Sequence, residues 1–130
     1  MTANSFPSKT PPERSAAARG ARAEALAAEF LSQQGLTIVR RNFRTRFGEI
    51  DLIARDGRIL VFVEVRMRRS GRYGGAIESI TAAKRARLVA AASGYLAAIG
   101  REPPCRFDAI LMQGLDPRTL QWQRDILGVD

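Results

Sequence analysis

A chain of 130 residues, 45% of them hydrophobic, carries enough apolar surface for one ordinary domain core without metal or disulfide staples. Its 21 Lys and Arg against 13 Asp and Glu give a formal net charge of +8, which attracts polyanions; only Lys9 and Lys84 are lysines, and an Arg-rich composition also follows from GC-rich coding. The single cysteine, Cys105, excludes an internal disulfide, and the lack of histidine excludes the usual zinc sites and every histidine-based triad, so any metal would be held by oxygen.

Residues Met1 to Arg14 are polar and rich in proline, with no apolar signal-like run, and no later stretch approaches a membrane span. The expectation is a cytoplasmic protein without a membrane partner, with a flexible tail over 1–14 and a single domain over 15–130. A helix follows: Ser15 caps it, Ala23, Leu26, Ala27, Phe30 and Leu31 recur at helical spacing, and Gly35 stops it. Leu36 to Val39 reads as a short strand and, after an intervening stretch from Arg40 to Phe47, Glu49 to Ala54 reads as another.

Asp56-Gly57 lies between two apolar runs, a strong hairpin signal, with the return strand over Ile59 to Arg66. Arg68 to Gly75 reads as a loop. Ser79 reads as the cap of a second helix carrying Ile80, Leu88, Ala91, Ala92, Tyr95 and Leu96, ended by Gly100, Pro103 and Pro104. Cys105 to Met112 and Thr119 to Gln123 are shorter strands. Helix, three strands, helix and two strands make an α/β fold with a mixed sheet covered by helices.

A two-residue loop at Asp56-Gly57 pairs Arg55 with Arg58, Asp51 with Phe62 and Glu49 with Glu64. Alternation then sends Ile50, Leu52, Ala54, Ile59, Val61, Val63 and Val65 to one apolar face, and Glu49, Asp51, Ile53, Leu60, Phe62, Glu64 and Arg66 to the other. In this register Glu64 lies roughly 5 Å from Glu49 and roughly 7 Å from Asp51. Like charges so placed destabilise a sheet unless something positive sits among them. Mg²⁺ or Mn²⁺ fits Asp51 and Glu64 as ligands, since such a cation uses one or two carboxylates and keeps several waters. Glu49 is an additional acid, and Glu24 sits at the border of the helix's apolar stripe, able to look toward the sheet. Arg66, two residues after Glu64, points the same way and suits a phosphate. The bland alternative is a surface hairpin whose acids form solvated ion pairs of little energetic weight.

Around these acids Arg44, Arg46, Arg68, Arg69, Arg72, Lys84 and Arg87 supply cations for backbone phosphates, and no pattern for reading bases in a groove is present. Phe43 and Tyr73 are weak candidates for stacking on unpaired bases.

Gly48-Glu49-Ile50-Asp51-Leu52-Ile53-Ala54, Val61-Phe62-Val63-Glu64-Val65-Arg66 and Phe107-Asp108 resemble the YraN family of small bacterial proteins. That family in turn resembles the restriction-endonuclease-like nucleases, including archaeal Holliday junction resolvases, whose mixed sheet flanked by helices carries a metal site on a bent hairpin. The resemblance implies that Glu24, Asp51, Glu64 and Arg66 are the catalytic set, with Asp51 and Glu64 on the metal and branched or structured DNA as substrate. Those nucleases have Lys where this chain has Arg66, and an arginine cannot readily accept a proton, although it still stabilises negative charge.

The leading expectation is a Mg²⁺- or Mn²⁺-dependent endonuclease acting on DNA. The alternatives are a non-catalytic nucleic-acid-binding module, and an interaction subunit of a DNA-processing complex that exposes Leu60 and Phe62 as a patch or dimer face. A homodimer is expected only by analogy with two-fold junction substrates.

Overall fold

The computed structural model describes residues 15–68 and 80–128; the expected tail and the positions Arg69, Arg72, Tyr73 and Ser79 lie outside the described residues. Helix α1 runs Ala16–Gln33, with the Ser15 hydroxyl accepting from the Ala18 N–H at 3.0 Å and Gly35 turning the chain at φ +96°. Strands β1 (Thr37–Thr45), β2 (Gly48–Asp56) and β3 (Ile59–Arg68) follow, then helix α2 (Ala82–Ile99), β4 (Cys105–Gln113), a 3₁₀ turn at Pro117–Thr119 and the short β5 (Gln121–Gln123). The sheet has the order β1-β2-β3-β4-β5, antiparallel except for the β3–β4 pair, which is parallel and joined through α2.

The two helices cover opposite faces. Ala23, Ala27, Ala28 and Leu31 of α1 pack on Leu52, Ala54, Val61, Val63, Ile110 and Met112, whereas Leu88, Ala91 and Ala92 of α2 pack on Ile50, Ile53, Leu60 and Phe62. This α/β architecture, with its mixed sheet, is the one the sequence pattern implies. Among the described residues no helix is long and apolar enough to cross a membrane.

Several details differ from the sequence reading. The stretch from Arg40 onward is not a connection: β1 continues to Thr45 and turns tightly into Gly48. The β2–β3 hairpin loop is Gly57-Arg58, with Asp56 paired to Ile59, because Gly57 takes the left-handed conformation at φ +62° and Asp56 remains in the ladder. Every β2–β3 pair therefore shifts, so that Leu52 faces Val63 and Ile53 faces Phe62. Ile50 packs with Ile53 under α2 instead of with Leu52, so strict alternation fails between residues 50 and 53. Leu60 and Phe62, 6% and 0% exposed, are filled by α2 and offer no patch or dimer face. The second helix is capped by Thr81, whose hydroxyl accepts from the Lys84 N–H, while Ile80 is buried against Ala109 and Leu111 ahead of the helix.

Asp108 of β4 is a fully buried acid that ties three regions together. Its carboxylate accepts from Arg106 Nε, from Trp122 Nε1 at 3.0 Å and from the Asp125 backbone N–H at 2.9 Å, and Arg106 reaches on to Asp56 at 3.1 Å. Trp122 in turn meets Phe30 of α1 edge-on, at 6.0 Å between ring centroids. Replacing Asp108 by Ala leaves the Arg106 charge without its buried partner, and the expected loss is about 3–5 kcal/mol. Urea denaturation of Asp108→Ala against the wild type measures it.

Candidate functional site

The site forms where two strands part. The β2–β3 ladder ends at Leu52–Val63; beyond it β2 continues toward Gly48 beside β1, and β3 continues to Arg68 beside β4. The Val65 N–H therefore has no backbone acceptor on β2, and Asp51 Oδ2 accepts from it at 2.8 Å. Gly48 lets this end of β2 run against α2, because a Cβ there would collide with the Arg87 backbone carbonyl.

Into the fork come acids from three elements. Glu24 arrives from α1 on one face. Glu64 lies on the β3 side whose neighbours Leu60 and Phe62 are covered by α2. Glu24 and Glu64 both lie against Asp51, close enough for a protonated carboxyl to share its proton with the Asp51 carboxylate. Burial, then the Asp51 charge, pushes Glu24 and Glu64 from an ordinary 4.5 up to about 7. Asp51 is also raised by burial, against the pull of the Val65 N–H. Glu49 adds repulsion to all three but stays at the rim, paired with Arg44 at 3.2 Å. Among the described residues no three acidic side chains converge as a ready-made metal cage. Glu24, Asp51 and Glu64 are instead three neighbouring carboxyls that each raise the cost of the others' charge, a donor set suited to a hard cation that takes one or two carboxylates and keeps its waters.

Positive charge enters mainly beside Glu64. Arg66 Nη1 lies 4.0 Å from Glu64 Oε2, and Lys84 of α2 acts on the same carboxyl, both drawing its pKa down. Arg68 and Arg87 are close enough to Lys84 to depress its pKa, after burial and Arg66. Arg44, Arg46 and Arg87 are exposed around the β1–β2 turn. Of the residues read from sequence as the site, then, Glu24, Asp51, Glu64, Arg66 and Lys84 come together, with Glu49 beside them. Phe43 is not a free stacking surface: it packs edge-on against Tyr95 at 5.2 Å, under the Arg40 guanidinium.

Sequence reading missed Asn42. The pairs Arg41–Leu52 and Phe43–Ile50 put it across from Asp51, its φ is +53° in the middle of a strand, and its amide favours the charged form of Glu24, drawing that pKa down. A left-handed residue inside a strand is uncommon, and Asn tolerates it better than most. The only signal in the sequence is a strand-averse Asn within β1.

Two outcomes follow from this geometry. Glu24 and Glu64 bind protons more tightly in the fold than in the unfolded chain, so their contribution to stability is full below about pH 4.5 and is lost as pH rises to about 7. Melts of metal-free protein from about pH 5 to 8 show a falling Tm, and Asp51→Asn flattens that slope by removing the charge both glutamates face. At Asn42, Ala forces a side chain into the left-handed region at a cost of about 1–2 kcal/mol, whereas Gly does not. Both substitutions remove the amide and raise Glu24 further, as carboxyl NMR titration would register.

The pattern of the family described as "Uncharacterised protein family UPF0102" matches residues 23–112. A UPF0102 protein of Nitrosomonas europaea is 53% identical over 111 residues, covering 85% of this chain and 94% of its own. Another, from Symbiobacterium thermophilum, is 58% identical over 92 residues, 70% of this chain and 78% of its own. A third, from Cupriavidus taiwanensis, is 49% identical over 128 residues, 97% of this chain and 93% of its own. The matched span takes in Glu24, Asn42, Asp51, Glu64 and Lys84, and the chain belongs to the UPF0102, or YraN, family.

Proposed function

We propose that the protein is a metal-dependent endonuclease of the restriction-endonuclease-like type, acting on DNA, with branched or otherwise structured DNA as substrate. The observation that carries this reading is the meeting of Glu24, Asp51 and Glu64 at the fork, with Arg66 and Lys84 at its edge. A structural acid cluster would be satisfied by arginines from within the fold, as Asp108 is; this one leaves two glutamates titrating near neutrality. Perturbed acids in such a setting point to function.

Asp51 and Glu64 would hold Mg²⁺ or Mn²⁺. The ion, when bound, supplies stabilisation for the charge that builds on a phosphoryl group under attack. Asp51 is aimed by the Val65 N–H, so its carboxylate stays in one orientation. Glu24, steered by Asn42, orients the attacking water and takes a proton near neutral pH. Arg66 clamps the phosphate as a fixed cation and accepts no proton. Lys84, approaching Glu64 from α2, carries the titratable ammonium that Arg66 lacks. Arg44, Arg46, Arg68 and Arg87 hold flanking phosphates without reading sequence.

The second reading, a module that binds nucleic acid without cutting it, is favoured by Arg66 standing where the resembling nucleases have lysine. Cleavage of labelled single-stranded, duplex, flap and four-way-junction DNA in Mg²⁺ and Mn²⁺ separates the two. The wild type is expected to cut, chelation to stop it, and Asp51→Ala or Glu64→Ala to slow it on the order of a thousandfold or more. Intact DNA bound equally by all three proteins would overturn the nuclease reading and leave the binding module.

A further inference from the structure

The turn between β1 and β2 holds Phe47 out in water. It is 62% exposed, the most exposed of the large hydrophobic residues described, although such a ring is ordinarily stabilised by burial. A solitary exposed Phe needs no explanation by itself, but four observations set this one apart.

The turn is pinned. Thr45 Oγ1 accepts from the Phe47 and Gly48 N–H groups, both at 3.1 Å, and donates to the Gly48 carbonyl. Gly48, the next residue, packs against the Arg87 backbone, so the turn is held on α2 as well. The ring also borders a shallow depression of about 310 Å³ whose other walls include Arg44, Arg46, Glu49 and Arg87. That volume is at the small end for a ligand site. The Arg46 guanidinium sits 5.0 Å from the ring centroid, placing cation and aromatic in one unit. Finally, the position is close to the acids: Phe47, in the turn just before β2, precedes Asp51 by four residues, at most about 14 Å of chain, or roughly four nucleotide steps along one strand of a duplex.

An aromatic face within a ring of arginines suits a ligand that is flat, apolar on its faces and anionic at its edge. An unpaired nucleotide has that character, and a base inside a duplex keeps its faces covered. We propose that this depression is a binding site for one unpaired nucleotide, its base stacked on Phe47 and its phosphates held by Arg44 and Arg87, so that DNA is engaged where its pairing is interrupted. The inference rests on the nucleic-acid reading of the neighbouring acids and adds a feature that selects among substrates. Glu49, on the depression's rim, offers an acceptor to the edge of the seated base.

The test uses the full chain in EDTA, where no cutting occurs, and fluorescence anisotropy with three probes: a single strand, a perfect duplex, and the same duplex carrying one bulged 5-iodouracil. Phe47→Ala is expected to weaken single-strand and bulge binding roughly tenfold while changing duplex binding less than twofold, and Phe47→Trp to restore both. Irradiation of the bulged complex is expected to crosslink Phe47, located by peptide mass spectrometry. A Phe47→Ala protein that binds all three probes as the wild type does, or that loses duplex binding equally, would overturn this site and leave the nuclease reading standing. A wild type that binds none of the probes would overturn the nucleic-acid reading, and this inference with it.

Discussion

The constraint on which the site depends is the Val65 N–H. A strand that loses its neighbour leaves a backbone donor that must find an acceptor or remain unsatisfied at a cost of about 1–3 kcal/mol. Here β2 leaves β3 after Leu52, and the Asp51 carboxylate takes the place of the missing backbone oxygen. The same departure makes the space into which Glu24 and Glu64 enter from opposite faces of the sheet. The fork and the acid cluster are thus one feature: an unbroken ladder would leave no gap for the carboxyls, and an apolar residue at 51 would leave the fork without its fastening.

Asp108 and Asp51 show how surroundings decide the role of a carboxylate. Asp108 is entirely enclosed, yet Arg106, Trp122 and a backbone N–H meet it fully, and it joins β4, β5 and the hairpin end into one unit. Asp51 receives one backbone N–H and the two glutamates that compete with it for protons. The first arrangement closes the electrostatic requirement within the protein; the second leaves three carboxyls contending for protons, the imbalance on which the proposed metal site rests.

Much of this was legible in the sequence because it depends on local pattern. The Ser15 cap, the Ala-rich stripe of α1, the hairpin near Gly57 and the return strand are set by residue spacing and turn chemistry, and Glu24, Asp51, Glu64 and Arg66 could be picked out together. The β2–β3 register was misjudged because Asp-Gly suits a turn so well that Asp56 was assigned to the loop, whereas Gly57-Arg58 forms it. The side taken by Ile50 was missed because strict alternation ignores the irregularity between residues 50 and 53. Leu60 and Phe62 looked exposed since no local signal says which helix lies over which face. Asn42 and Phe47 were invisible for a related reason: both matter through backbone conformation and exposure, and neither changes the hydrophobic pattern.

The acids of the site belong to α1, β2 and β3, Asn42 to β1 and Lys84 to α2, the helix that must cross over before β4 can pair with β3. No short segment of the chain holds even the three carboxylates within reach of one another. A growing polypeptide still on the ribosome, or a molecule opened by damage, therefore carries none of the proposed chemistry. For a protein proposed to cut DNA this is a form of containment: the ability to cleave is switched on by completion of the sheet and vanishes as soon as the sheet opens.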